Sequence, residues 1–479
     1  MSADVVGLAL VLLGLIVLLG KLIRVRSKIA QKLFLPASIL GGFLALLLGP
    51  YVFGNLMSLA GIDRFSEGGL FGPEILEVWG TLPGLLISVV FAALFMGESI
   101  PSPKRAARLL GPQLSLGVTF ASGQYVFGLA LAVLVLAPLF GMTPMAGALI
   151  EIGFEGGHGT AAGMAPVMSD LGFTEGPDLA LGLATVGIVS GIVIGIAAIN
   201  WAVRTGRTEV ISTSSKLPEN ELKGLYSADE QPSAGQLTVR SSSVESMTLH
   251  VGFIALAILV GQLLLSGLQW VESVTWADSV QVFEYVPLFP LAMLGGVIIQ
   301  LIVDKTGKLH LIDRESIMRI QGLALDLLIV SALASLSLKA IANNLGPFLL
   351  LAGVGIVWNI IVLFVLARRY IPQYWFERGI GDFGQSMGVT ATGLILMRIA
   401  DPEGKSPAYE AFGYKQLVFE PFFGGGLITA AALPLIYQFG PYPLLVGMGV
   451  LLVASLAIGL VNGRRMRRAS SAEAAPARG

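Results

Sequence analysis

The sequence predicts an all-α polytopic membrane protein with two inverted five-helix repeats. Each repeat carries a re-entrant hairpin, and an extra transmembrane helix follows at the C-terminus. Three observations carry this prediction. The chain of 479 residues is 54% hydrophobic and only 13% charged, roughly half the charged share of soluble domains. Its basic residues cluster in alternate loops. Two glycine-rich polar stretches fall at matching places in the two halves.

The apolar excess is global. Mean hydropathy is +0.80, more apolar than a surface facing water allows. A net charge of −1 offers no basic footprint for nucleic acid. The absence of cysteine excludes disulfides, thiolate metal sites and cysteine nucleophiles. Glycine, at 60 residues, is well above the roughly 7% average and fits close helix packing and broken helices. No basic segment precedes the first apolar stretch, so residues 5–20 read as a retained span rather than a cleaved signal.

A helix needs about 20 apolar residues to cross a bilayer. Candidate spans are 4–22, 33–54, 80–97, 113–140, 178–203, 249–268, 283–303, 321–340, 346–367, 416–438 and 441–462. Two further stretches, 145–169 and 379–400, are too rich in glycine and polar residues for simple spans. The basic loop residues test this map. Lys21, Arg24, Arg26, Lys28 and Lys32 follow the first span; Lys104, Arg105 and Arg108 follow the third. Arg204, Arg207, Lys305, Lys308, Arg314, Arg319, Arg368, Arg369 and Arg464–Arg468 complete the set. All fall on one side if the spans alternate. The other loops hold Asp63, Glu67, Glu74, Glu77, Asp170, Glu175, Asp178, Glu272, Asp278 and Glu284. This places the N-terminus outside and the C-terminus in the cytoplasm, and it requires both glycine-rich stretches to enter and leave on one face.

The expected organisation is a first repeat over 1–205 and a hydrophilic cytoplasmic linker over 206–248. A second repeat follows over 249–438, then an extra helix over 439–465 and a disordered tail over 466–479. The linker is rich in Ser, Glu, Gln and Pro and reads as mobile. Gly159-Thr160-Ala161-Ala162-Gly163 lies 230 residues before Val389-Thr390-Ala391-Thr392-Gly393, an echo at matching positions. Inverted repeats meet near the midplane and place a solute site at their broken helices.

The first motif is Glu155-Gly156-Gly157-His158-Gly159-Thr160. Glycines here permit close backbone approach to a ligand, and Thr160 adds a hydroxyl. The plainer reading is small-residue helix packing, but packing does not call for Glu155 and His158, and ionisable residues at membrane depth are functional candidates. His158 reads equally as a substrate contact or a structural hydrogen bond, and no ligand cluster around it suggests a transition metal. Glu151 and Glu155, four apart, share one helical face. They read either as sites for a coupling cation or proton or as bystanders in a wet hairpin mouth. The second motif runs from Gly381 through Asp382, Gly384, Gln385, Ser386, Gly388, Thr390 and Thr392. Its oxygens suit a hard cation such as Na⁺ and a polar solute. Arg398 reads as a carboxylate partner or, more simply, as an anchor at the hairpin mouth. Asp326 and Asn359 are secondary candidates.

These motifs resemble the bacterial sodium/glutamate symporter family. Gly156-Gly157-His158-Gly159-Thr160 is similar to its first re-entrant motif. Gly384, Gly388, Thr390 and Thr392 are similar to its second. Leu35-Pro36-Ala37-Ser38-Ile39-Leu40-Gly41-Gly42 is similar to its second span. The chain departs from the family's pattern at Glu151, Glu155, Asp382-Phe383 and Ala391. The resemblance implies a multi-pass inner-membrane protein that takes up glutamate with Na⁺ as coupling ion. It also implies no organic cofactor, a homodimer and an elevator-like movement. The residues alone leave a cation/proton antiporter open, with Glu155 and Asp382 as its titrating pair. An intramembrane enzyme lacks a nucleophile–base or metal constellation in this sequence.

Overall fold

The structure is a computed structural model that describes residues 2–33, 35–97, 103–210, 219–227, 229–277, 283–401 and 404–473, with the side chains of 103–108, 219, 221 and 469–473 left out. The charges expected of Lys104, Arg105, Arg108 and Asp278, part of the linker and the last residues of the tail therefore lie outside what is described. The described residues are helical, with no strand among them.

Ten helices are long and apolar enough to cross a bilayer. They are α1 (Ala3–Arg26), α2 (Ala37–Leu59), α3 (Pro73–Ala92), α4 (Leu109–Phe140), α8 (Gly176–Arg204), α9 (Ser246–Thr275), α10 (Leu288–Lys305), α11 (Arg314–Ala334), α12 (Leu345–Tyr370) and α16 (Pro441–Glu473). Between α4 and α8 the chain makes three short helices: α5 (Pro144–Phe154), α6 (Gly157–Gly163) and α7 (Ala165–Asp170). Between α12 and α16 it makes α13 (Trp375–Ala400), α14 (Ala408–Phe419) and α15 (Leu427–Phe439). One expected span is corrected. Residues 416–438 are not a single crossing helix: Pro421 and the run Gly424-Gly425-Gly426 interrupt it, with Gly424 and Gly425 both at positive φ, and leave α14 and α15 too short to cross alone. At the other end, α16 continues through 469–473, into the segment expected as tail.

The chain divides into two compact units. Unit 1 comprises Met1–Ser99, His158–Leu181 and Pro218–Asn344. Its long helices are α1–α3 and α9–α11, three from each half of the sequence, and α7 belongs to it as well. One core joins Ala9, Leu13 and Ile16 of α1 to Val78 and Trp79 of α3 and to Val330 of α11. The Trp79 indole N–H donates to Ala9 O at 3.1 Å. A second core joins Ala92 to Ile254 and Ala257 of α9 and to Ala292 and Ile299 of α10.

A short pattern organises these contacts. Pro36-x-x-x-Leu40-Gly41-Gly42 in α2 recurs as Pro290-x-x-x-Leu294-Gly295-Gly296 in α10. A Cβ at Gly41 would meet Ile16 O of α1, and one at Gly295 would meet Ala257 O of α9. The second glycine of each pair faces the other half of the sequence: Gly42 abuts Leu333 of α11, and Gly296 abuts Ala92 O of α3. The same small residues thus let each second helix touch its own first helix and the opposite third helix, the close approach that apolar surroundings favour.

Unit 2 comprises Ile100–Gly157, Gly182–Leu217 and Leu345–Gly479. Here α4 and α12 each carry a π-helical segment, at Ala132–Leu136 and at Val362–Ala367. The two segments begin 230 residues apart, the spacing of Thr160 and Thr390. The extra helix α16 is keyed into this unit. Gly459 faces the Tyr370 ring, Gly463 faces Arg369 O, and Ser455 Oγ shares a 2.9 Å hydrogen bond with Thr119 Oγ1 of α4.

Candidate functional site

The site is built around α13, which is two helical arms rather than one helix. Helical geometry fails at Gly388 and Val389. Val389 has φ 62° and ψ 170°, a region that only glycine enters freely and that costs a side-chain-bearing residue on the order of 1–3 kcal/mol. The arms then fold back on each other. A Cβ on Gly384 would stand 2.7 Å from Gly393 Cα, and one on Gly381 would stand 2.5 Å from Met397 Sδ. Gly187, Gly191 and Gly195, four apart on α8, give the tip its bed: Gly187 faces Met387 O, Gly191 faces the Met387 side chain, and Gly195 faces Leu396.

Side chains from two long helices satisfy the broken backbone, as nonaqueous surroundings require. Gln124 Nε2 of α4 donates to Ser386 O at 2.7 Å, and Asn359 Nδ2 of α12 donates to the same oxygen at 3.3 Å. Thr392 Oγ1 donates to Gly388 O. The other break, at Gly157, meets this tip. Gly157 has φ 66°, and the Val389 side chain occupies the space its Cβ would need.

A fully buried charged cluster lies along the first arm. The Asp382 carboxylate faces Lys415 Nζ at 3.4 Å, both side chains being 0% exposed. Asp382 Oδ2 also accepts from Gln113 Nε2 at 2.9 Å. Gln113 is held in turn by Arg378, whose Nε donates to Gln113 Oε1 at 2.9 Å. Lys415 donates to Gln385 Oε1 and stands over the Phe419 ring at 3.9 Å. Gly117 of α4 faces the lysine stem.

The two glutamates of α5 and its end differ. Glu151 is saturated: Tyr125 Oη donates to it at 2.7 Å, and Gly424 N and Thr429 Oγ1 each donate at 2.8 Å. Glu155 is 2% exposed, and neither of its carboxylate oxygens has a hydrogen-bond partner among the described residues. Gly424 packs beside it, 3.6 Å from Glu155 Cγ as measured from a Cβ position. At the second arm, Thr390 Oγ1 donates to Glu420 Oε1 at 2.7 Å and accepts from Gln416 Nε2 at 2.7 Å.

Glu151, Glu155, Gly156, Gly157, Asp382, Gly384, Gln385, Ser386, Gly388, Thr390 and Thr392 thus share unit 2. Arg398 is also there, exposed on the second arm. His158, Gly159 and Thr160 belong to unit 1, where His158 and Thr160 are buried and Gly159 faces Ile87 and Leu325. Asp326 is on α11, also in unit 1. Sequence reasoning missed Lys415, Gln113, Arg378, Gln124 and Glu420. The signal for Lys415 was available: a lysine followed by Glu420, Pro421 and three glycines inside an otherwise apolar run.

Residues 5–399 match the family model described as sodium/glutamate symporter. The chain belongs to the sodium/glutamate symporter family. It is 25% identical over 334 residues to a protein of that name from Escherichia coli (strain K12), covering 68% of this chain and 75% of the relative. The sodium/glutamate symporter of Shigella flexneri matches to the same extent. A symporter family performs transport rather than enzymatic chemistry. Asp382 and both arms up to residue 399 fall inside the matched region, whereas Lys415, Glu420 and Gly424 lie beyond it.

Proposed function

We propose that the chain is a secondary active transporter that takes up glutamate, or a closely related small anionic solute, together with Na⁺ across the plasma (inner) membrane. The observation that carries this reading is family membership over residues 5–399. Both relatives bear the name sodium/glutamate symporter. Na⁺ is the coupling ion, and no organic cofactor enters.

The two halves, 1–205 and 249–438, are inverted repeats on either side of the 206–248 linker. The paired Pro-x-x-x-Leu-Gly-Gly contacts and the equally spaced π segments support this. The breaks at Gly157 and at Gly388–Val389 are the tips of re-entrant hairpins over 145–169 and 379–400, entering from opposite faces. The N-terminus is outside, and the linker and C-terminus are cytoplasmic. The protein works as a homodimer with an elevator-like movement, as the resemblance implies.

Glu155 and the Ser386 hydroxyl form the coupling-cation site. Glu151 and Gly384 frame it, and Asp326 serves a cation in unit 1. The solute is bound by Gly156, Gly157, His158, Gly159 and Thr160 and by Gln385, Gly388, Thr390, Thr392 and Arg398. The start of the second arm offers an anion the positive end of a helix dipole. Binding the cation beside a buried carboxylate offsets the cost of keeping that charge out of water, so neither half-loaded form crosses readily.

Gradient-driven uptake of labelled glutamate and aspartate into proteoliposomes tests this reading. Uptake of neither removes the solute, and absence of Na⁺-driven flux of any solute removes the mechanism. The antiporter reading is favoured by one observation, the buried Glu155 carboxylate, whose oxygens take no hydrogen bond from the described residues; proton release on Na⁺ addition without solute would support it.

A further inference from the structure

We propose that Lys415 is a tethered cation that permanently fills a second cation site, and so sets how many Na⁺ ions accompany each solute. The inference rests on the transport reading above and deepens it. Its basis is the company the ammonium keeps. Lys415 Nζ lies against the Asp382 carboxylate at 3.4 Å, donates to the Gln385 amide oxygen, and faces the Phe419 and Phe412 rings at 3.9 and 5.3 Å. One anionic oxygen, one amide oxygen and two aromatic faces are also the partners that a desolvated alkali ion takes. The whole arrangement is sealed: Asp382 and Lys415 are 0% exposed and Gln385 is 2% exposed.

A buried pair that served only to join α14 to α13 would be an expensive joint, because desolvating two charges cancels most of their attraction. A cation held on the chain changes the ion balance of the moving protein instead. The buried ionisable groups around the two arms are Glu151, Glu155, Glu377, Asp382 and Asp401 on the acidic side and Lys415 and Arg378 on the basic side. Gln113 ties Arg378 to Asp382, and Lys415 answers the same carboxylate. Glu151 is saturated by hydrogen bonds, Glu377 accepts from Glu209 N and Val210 N, and Asp401 accepts from Lys405 N and Ser406 N. Glu155, the one of these carboxylates with neither oxygen hydrogen-bonded to the described residues, is therefore left for a mobile cation. Without Lys415 there would be a second vacancy, at Asp382, and an apolar replacement for the lysine stem would still pack against Gly117.

The test is Lys415→Met, with Lys415→Gln as a second variant that keeps a polar head. In proteoliposomes loaded with labelled sodium and glutamate, each variant is expected to move one further Na⁺ per solute than the wild type. In detergent, exchanging choline chloride for NaCl is expected to raise Tm by at least about 2 °C more in the variants than in the wild type, because a site that binds only the folded state stabilises it. Adding Asp382→Asn to Lys415→Met should return both readouts to wild-type values. An unchanged flux ratio and an unchanged Na⁺-dependent Tm shift overturn the proposal. So does failure of both variants to fold that Na⁺ during solubilisation does not rescue, which leaves the pair as a structural bridge. If the wild type itself transports no glutamate, the transport reading fails, yet the Tm comparison still decides whether Lys415 excludes a cation.

Discussion

The Val389 side chain occupies the space that a side chain on Gly157 would need, so the two breaks in the helices of unit 2 touch at their tips. Both residues have positive φ, 66° at Gly157 and 62° at Val389. Gly157→Ala should therefore fail twice, from its own backbone at about 1–2 kcal/mol and from the clash with Val389. Uptake should fall at least tenfold, with a lower Tm in detergent. Adding Val389→Gly removes the clash and should restore much of both. Val389→Gly alone should raise Tm, since it releases backbone strain of about 1–3 kcal/mol.

Removing one member of a buried charge pair is worse than removing both. Asp382→Asn leaves the Lys415 ammonium without its counter-charge and should cost about 3–5 kcal/mol. The double variant Asp382→Asn/Lys415→Met should be less destabilised than the sum of its singles, a coupling that a double-mutant cycle on thermal unfolding measures. Additive losses would show that the two groups do not interact as their 3.4 Å separation indicates.

Gln124 holds the tip of the first arm through Ser386 O. Gln124→Leu removes the 2.7 Å bond, leaving only the longer 3.3 Å bond from Asn359 on that oxygen. A loss of about 1–3 kcal/mol follows for a buried group stripped of its partner. Hydrogen exchange should quicken at residues 386–390 while α10 and α11 keep their protection. Uniform loss of protection would instead assign Gln124 to the stability of the whole chain.

The second half of the linker is pinned to unit 1. Asp313 caps α11 by accepting from Ser316 N at 2.8 Å and also accepts from Gln236 N at 3.1 Å. Partial burial pushes its carboxyl up, but the bonds from Ser316 and Gln236 outweigh that and hold it below the ordinary carboxylate range. A depressed folded-state pKa stabilises above the unfolded value, roughly 3.9, and that stability is lost as pH falls through the folded value. Asp313→Ala should cost about 1 kcal/mol as a lost cap. Limited proteolysis near 233–238 should be faster in that variant, and faster in the wild type only at strongly acidic pH.

Much of this was legible in sequence because the bilayer demands a simple code. Ten of the expected spans are long apolar helices, and the glycine-rich stretches do contain breaks. The tenth expected span failed because hydropathy averages over a window. Phe422, Phe423 and the flanking aliphatic residues kept 416–438 apolar while Pro421 and three glycines ended the helix inside it. That error placed Lys415 just outside a span, where a lysine attracts no notice. The recurrence of Pro36 to Gly42 at Pro290 to Gly296 was hidden for a different reason: unequal loops give it a spacing other than the 230 residues of the tips. Gln113, Gln124 and Arg378 carry no local signal, because their roles exist only once α4 lies beside α13.

On the transport reading, Na⁺ drives an anionic solute past the broken helices of unit 2. Accumulation of labelled glutamate in proteoliposomes under an inward Na⁺ gradient, with choline as the control ion and Thr390→Ala alongside, tests it most directly. Glutamate should concentrate only when Na⁺ is supplied, and loss of the hydroxyl that bridges Gln416 and Glu420 should cut the rate about tenfold, the effect of roughly 1.4 kcal/mol. Equal uptake in Na⁺ and choline, or undiminished uptake by Thr390→Ala, would contradict it.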